Sequence, residues 1–200
     1  MRNCAITVAS ASADGNSSAS ATLYLSGVEG NLQVIFTGHR ASEQTVSLSG
    51  SGWSTDYLNT LVTDSAWRRG LAASWRVVPA SAGIEVTTTW SSTGPIATYG
   101  IEFTGNEAGT WSLGGGNSAD TGAALAVDLL SGGVTRVGTH TLATSAIIFR
   151  HGAAGPEARA TKLDNSDEWG QSGTGVNDLS IAGGYDIGTG GEQANWVWTT

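Results

Sequence analysis

The sequence has little charge, and this scarcity argues against several functions. Only 13% of its 200 residues are charged, and 9 Lys and Arg face 17 Asp and Glu, which gives a formal net charge of −8. A nucleic-acid-binding protein needs a basic surface to attract phosphates. This chain offers only one adjacent basic pair, Arg68-Arg69, which we interpret as charges at a strand edge. We therefore expect no nucleic-acid partner.

The sequence also lacks a second cysteine and a long apolar run. The single Cys4 excludes an internal disulfide, and we interpret it as a buried residue of an N-terminal strand. Residues 1–20 contain no apolar signal-peptide core, and no segment approaches the roughly 18 apolar residues of a membrane span. We expect neither a signal peptide nor a membrane association.

The common catalytic motifs are absent as well. The only lysine, Lys162, is not part of a phosphate-binding loop, and no Gly-x-Ser-x-Gly nucleophile turn occurs. The three histidines are scattered rather than grouped at zinc-ligand spacing. A hydrolase would remain open if Glu85 and Glu102 faced each other on adjacent strands, but an exposed polar sheet face is the favoured interpretation of both. We expect no enzyme and no cofactor.

One acidic cluster is a weak candidate for a metal site. Asp164, Asp167 and Glu168 lie close together in a polar segment, and carboxylates are ligands that Ca²⁺ accepts. The EF-hand pattern fails because Gly175 occupies the twelfth position, where a bidentate Glu is needed. A solvated turn is the favoured interpretation, with loop-bound Ca²⁺ as the alternative.

The residues that are abundant predict β-structure. The chain has 29 Gly and many Ser and Thr, between short segments of alternating apolar and polar residues. We predict one all-β domain over residues 1–200, an antiparallel, jelly-roll-like β-sandwich of about ten to twelve short strands with long Gly-rich loops. Residues 32–37 are predicted to form a central strand buried on both faces, and residues 70–78 and 84–90 a hairpin. Residues 10–20, 104–122 and 151–175 are predicted to be loops.

Eight tryptophans supply the aromatic surface. Trp53, Trp111 and Trp169 fall in or beside Gly- and Ser-rich segments, so they are the candidate binding or interface residues, with loop anchoring as the favoured alternative. Four others occupy apolar strand positions and are predicted to pack in the core or at a subunit interface: Trp75, Trp90, Trp196 and Trp198.

Three segments carry a resemblance to a known group of proteins. Residues 75–92, with the strand through Ile101-Glu-Phe103, resemble a β-hairpin common in structural proteins of bacteriophages. Residues 179–185 and 194–198 are similar to the paired closing strands of such domains. The resemblance covers about half of the chain and is one of composition, and it carries over no catalytic residue.

This resemblance implies a virion component rather than an enzyme. We expect a capsid decoration or tail protein that contacts other virion proteins, assembles in the host cytoplasm without a signal peptide, and forms a homo-oligomer, with a trimer among the candidate states. The alternative is a carbohydrate- or receptor-binding β-sandwich module that presents the loop tryptophans on one rim.

Overall fold

The structure is a computed structural model, and every element within its described residues is a β-strand. The described residues are 6–16, 19–39, 45–56, 62–64, 67–80, 82–91, 94–105, 111, 128–130, 134–135, 141–150, 157–160, 169–171, 179–188, 191–192 and 195–199. The strands are β1 (Thr7–Asn16), β2 (Ser20–Tyr24), β3 (Leu32–His39), β4 (Val46–Leu48), β5 (Ser54–Asp56), β6 (Val62–Asp64), β7 (Trp67–Val77), β8 (Glu85–Trp90), β9 (Ile96–Thr104), β10 (Asp128–Leu130), β11 (Val134–Thr135), β12 (Thr141–Arg150), β13 (Glu157–Ala160), β14 (Trp169–Gln171), β15 (Leu179–Gly188), β16 (Gly191–Glu192) and β17 (Asn195–Thr199). The predicted all-β, antiparallel class is confirmed for this part of the chain.

A central sheet organises the first half of the chain. Its order is β1-β9-β3-β7-β5, with β6 also paired to β7, and all its pairings are antiparallel. Strand β3 lies in the middle, and every residue from Leu32 to His39 is buried. This burial confirms the predicted central strand. A strand covered on both faces has few exposed polar positions.

A second sheet, with order β2-β8-β4, packs on one face of the central sheet. The inward side chains of its strands alternate with exposed ones, and Leu23 and Val86 are fully buried. They form a cluster with Leu25 and with Ile35 of β3. This face therefore contains apolar contacts, and the polar groups described below lie beside them.

A third sheet, with order β12-β15-β14, packs on the opposite face. Ile181 of β15 is fully buried in one cluster with Leu32, Val34 and Phe36 of β3. The ring of Tyr185 meets that of Phe103 edge-on, with centroids 5.4 Å apart. The central sheet is thus covered on both sides, which makes three packed layers in the described part of the chain. The remaining described pairings are β10-β17-β13 and β11-β16.

Strand β1 corrects the prediction of a loop over residues 10–20. Residues 10–16 belong to β1 and pair with β9. Side chains of β1 also bond the amides along the edge of β2: Ser10 Oγ accepts from Ser26 N, Ser12 Oγ from Tyr24 N, and an Asp14 carboxylate oxygen from Thr22 N, at 2.9, 3.2 and 2.8 Å. On this side of β1, small polar side chains take the place of backbone hydrogen bonds to β2, so a Ser/Ala-rich segment can form a strand here.

The predicted hairpin of residues 70–78 and 84–90 is wrong. Strand β7 pairs with β3, β5 and β6 in and beside the central sheet, whereas β8 pairs with β2 and β4 in the second sheet. The Pro79–Gly83 turn therefore carries the chain from one layer to the next. Burial explains the difference, because β7 has buried side chains such as Ala72 and Arg76 on one face and core-packed ones such as Trp75 on the other.

The predicted pairing of the closing segments is also wrong. Strand β15 pairs with β12 and β14, and β17 pairs with β10 and β13. Within the predicted loop 151–175 the structure places the short strands β13 and β14. Of the predicted loop 104–122, only Thr104, Gly105 and Trp111 are among the described residues.

Candidate functional site

One end of the central sheet gathers a buried charge, two of the candidate tryptophans and several exposed apolar side chains. Two segments form this end: residues 24–31, from the last residue of β2 to the start of β3, and residues 77–85, from the last residue of β7 to the first residue of β8. Backbone hydrogen bonds join them: Leu25 N donates to Ile84 O at 2.7 Å, and Val78 N donates to Asn31 O at 2.8 Å. We call these two segments together the turn surface.

Glu102 of β9 is bonded to the turn surface from the protein interior. Its carboxylate is fully buried and accepts four hydrogen bonds. Two come from the backbone amides of Gly27 and Val28, at 2.8 and 3.1 Å, and two from the side-chain amides of Asn31 and Gln33, at 2.7 and 2.8 Å. Buried carboxylates are tolerated when their oxygens are satisfied in this way, so Glu102 acts as an anchor for the turn.

A close backbone approach requires the glycine in this turn. Gly27 has a φ of +65°, and a Cβ built on it would lie 2.8 Å from the carbonyl oxygen of Gly83. Any side chain would combine left-handed strain with a clash against backbone. Gly27 therefore lets the two segments of the turn surface touch while its amide reaches Glu102.

A buried arginine continues the polar network. Arg76 Nε donates to Gln33 Oε1 at 2.8 Å, so Gln33 lies between the guanidinium and the Glu102 carboxylate. Burial lowers the pKa of Arg76, and the negative charge of Glu102 acts in the opposite direction. The arginine stays charged at neutral pH because its ordinary pKa is so high. The buried charges are thus paired through an amide rather than in direct contact.

Trp53 is an anchor of this network rather than a free platform. Arg76 lies over its ring, with Cζ 4.2 Å from the centroid, and its indole N–H donates to Ser49 O at 2.9 Å. The ring is half-buried and packs against the cluster that contains Leu23 and Ile35. Both the ring and the indole N–H of Trp53 therefore make contacts within the protein.

Trp111 anchors the turn surface from the other side. Its indole N–H donates to Gly30 O at 3.3 Å, and the half-buried ring packs against the cluster of Leu32, Tyr99 and Phe103. Trp169 is placed in strand β14, opposite Ala182 of β15. Trp53 and Trp111 thus contact elements joined by the Arg76–Glu102 network, and each indole N–H donates to a backbone carbonyl.

The two candidate carboxylates of a hydrolase are not brought together. Glu102 lies buried between layers, whereas Glu85 lies exposed on β8 of the second sheet. The predicted exposed polar face is confirmed for Glu85 and wrong for Glu102. No single-sequence signal separates the two, because both alternate with apolar neighbours on their strands.

Other predicted site residues lie outside the described part of the chain. This holds for Asp164, Asp167 and Glu168, and also for Cys4 and Lys162. Among the described residues, no three His, Cys, Asp or Glu side chains group in a way that would hold a metal ion. A search of the same residues finds no helix long and apolar enough to span a membrane.

His39 forms a second unusual polar site, at the far end of β3. Its ring packs on that of Trp90 with centroids 3.8 Å apart, and Gly70 of the neighbouring strand leaves room where a Cβ would collide with the imidazole. Among the described residues, neither His39 Nδ1 nor Trp90 Nε1 finds a hydrogen-bond partner. Burial lowers the pKa of His39 from 6.5 to about 4.

The turn surface carries the large apolar side chains that are exposed in the described part of the chain: Tyr24 and Ile84 at 61%, Val28 at 54% and Val77 at 41%. Sequence reasoning missed this surface. Ile84 alternates with the buried Val86 in the sequence but is itself exposed. It is exposed because the chain enters the second sheet only at Glu85.

Comparisons with known proteins add no relative. No protein-family model, no curated protein and no solved structure matches this chain.

Proposed function

We propose that this chain is a structural component of a bacteriophage virion, a capsid decoration or tail protein that acts through protein–protein contacts and has no catalytic role. The observation that carries the proposal is the turn surface. It presents Tyr24, Val28 and Ile84 more than half exposed, and Glu102 accepts hydrogen bonds from the amides of Gly27 and Val28 in the first of its two segments. An apolar surface on a fixed support is typical of an interaction site.

The polar groups of the described core support the same proposal. Glu102, Gln33 and Arg76 are directed at one another and at backbone groups rather than into an open cleft. They serve to position segments, as a structural protein requires. The unit of assembly in this proposal is a jelly-roll-like β-sandwich with a further sheet packed on it, and a homo-oligomer, with a trimer among the candidates, is the expected state in isolation.

The edge of β2 indicates how such a protein would associate. Its amides at Thr22, Tyr24 and Ser26 are already bonded by side chains of β1. Strand addition at this edge is therefore disfavoured, because the donors that a partner strand would use are occupied. Association with another virion protein through side chains, as at the turn surface, is the route that remains favoured here.

A carbohydrate-binding module is the second candidate, and one observation favours it. The outer face of the second sheet combines the exposed ring of Tyr24 with hydroxyl groups, including a Thr22–Thr87 side-chain contact of 3.3 Å. An aromatic ring beside hydroxyls is a common sugar-binding arrangement. The site would then lie around Tyr24, since Trp53 and Trp111 are engaged internally.

The test labels assembled particles. Antibodies raised against the purified chain, applied to phage particles released from cells that carry its gene, are expected to decorate the capsid or tail in electron micrographs. Antibody preabsorbed with the protein is the control. Unlabelled particles, together with a strictly monomeric protein in sedimentation velocity at high concentration, would refute the virion assignment. A glycan panel that alters the environment of Tyr24 would instead support the carbohydrate candidate.

A further inference from the structure

The turn surface combines apolar side chains with charge of a single sign. Glu29 follows Val28, and Glu85 follows Ile84 and lies opposite Tyr24 in the β2–β8 register. Both glutamates are exposed. Residues 24–31 and 77–85 contain no Asp, and neither segment contains Lys or Arg. Their charge is therefore purely negative and lies beside the exposed apolar groups.

This charge pattern disfavours a second copy of the chain as the occupant. A symmetric contact between two turn surfaces would place the acidic groups of one copy against those of the other, with no Lys or Arg in either segment to pair with them, and like charges across an interface are costly. The homo-oligomer proposed above would therefore form through another face of the chain. A partner with positive charge around an apolar centre fits both the acidic and the apolar groups of the turn surface.

We propose that the turn surface binds a different protein, one that presents apolar side chains flanked by Lys or Arg. The inference rests on the proposed virion function and names the chemistry of the partner. Tyr24, Val28 and Ile84 supply the apolar contact, and Glu29 and Glu85 select the partner by charge. Glu102 keeps the surface in shape before binding, since it holds the amides of Gly27 and Val28, and a preformed surface loses less entropy on association.

The test uses two synthetic amphipathic peptides with identical leucine positions, one with Lys and the other with Glu at the polar positions. Binding to the full chain is followed by NMR chemical-shift changes of the backbone amides. We expect the Lys peptide to bind about fivefold to tenfold more tightly than the Glu peptide, from two exposed charge pairs. The shifts should concentrate in residues 24–31 and 77–85.

Variants separate the two components of recognition. The double variant Tyr24→Ser/Ile84→Ser should lose binding of both peptides, and Glu29→Lys/Glu85→Lys should reverse the preference in favour of the Glu peptide. Thr89→Lys, an exposed site at the other end of β8, is the control and should leave the preference unchanged. All these sites are exposed, so circular dichroism should show unchanged folding.

Several outcomes would overturn the inference. Equal affinity for the two peptides would remove the role of charge, and binding that survives Tyr24→Ser/Ile84→Ser would place the site elsewhere. A dimer in sedimentation velocity that disappears in the same double variant would identify a second copy as the occupant. These results do not depend on the particle-labelling experiment, so this inference and the virion assignment can fail separately.

Discussion

The two faces of the central sheet are built on different principles. The face toward β12-β15-β14 is apolar across Leu32, Val34 and Phe36, with Tyr99 and Phe103 beside them. The face toward β2-β8-β4 mixes apolar residues with buried polar ones that bond one another. The apolar face gains stability chiefly from contact area, which is non-directional. The polar face specifies geometry, because a buried polar group is stable only when its particular partners are in place.

The polar face also positions the turn surface, whereas the apolar face holds the β12-β15-β14 sheet against the central sheet. Glu102 reaches across to backbone amides of a turn, so a change there propagates to exposed residues. Apolar contacts tolerate small shifts more readily. The effects of replacements on the two faces should therefore differ in size. They should also differ in kind, because only changes on the polar face reach the exposed residues of the turn surface.

The largest expected effect is at Glu102. Glu102→Ala leaves four donors without an acceptor and the Arg76 charge without its nearby carboxylate, which should cost about 4 kcal/mol of unfolding free energy. Glu102→Gln should cost less, although its amide group must face at least one donor. Urea denaturation measures both. The exposed Glu85→Ala is the matched control, expected within about 0.5 kcal/mol of the wild type; an equal loss at both sites would contradict the anchoring role.

The next effect concerns the apolar face, where Gly183 of β15 lies against the ring of Tyr99. A Cβ on Gly183 would overlap that ring, so Gly183→Ala should cost about 3 kcal/mol through overpacking. The exposed Gly83→Ala is the control, since its Cβ would meet only Glu85 N at 4.0 Å. Thermal denaturation distinguishes them. Adding Tyr99→Leu to Gly183→Ala should recover part of the loss, and strictly additive losses would argue against this contact between layers.

The smallest effect depends on pH and tests the polar face at His39. Its pKa is about 4 when folded and 6.5 ordinarily, so between these values the unfolded chain binds more protons. Stability should therefore fall as pH drops from about 6.5 to 4, by about 2–3 kcal/mol in total, and lose nothing more from this group below that range. His39→Met removes the titrating ring. Denaturation at a series of pH values should show a shallower acid loss in the variant; parallel curves would exclude His39 as the cause.

The strand pattern of the first hundred residues was largely predictable. Alternation located β7 and β8, and the apolar run at residues 32–37 located the central strand. The N-terminal Ser/Ala segment was misassigned because its ladder with β9 and its hydroxyl and carboxylate bonds to the β2 segment leave no apolar pattern in the sequence. Composition alone cannot reveal a partner that lies on another strand.

The candidate site was predicted less well than the strands. Trp53 and Trp111 were chosen for their Gly- and Ser-rich surroundings, yet each indole is bonded to a backbone carbonyl. Glu102, like Glu85, was assigned to an exposed polar sheet face, with a carboxylate pair as the alternative. Its true role depends on Gly27 and Val28, about 75 residues away in sequence, and such a contact leaves no local pattern.

The sequence by itself determined the all-β class, the burial of Leu32–Thr37 and the scarcity of charge, because alternation and composition act locally along each strand. Only the tertiary structure decided which strands pair, that the 79–83 turn changes layers, and which glutamate is buried. These features depend on contacts between distant segments. The low charge set by the sequence favours close packing of layers. Within the described residues, the tertiary structure gives the buried Glu102 and Arg76 a specific place by joining them through Gln33.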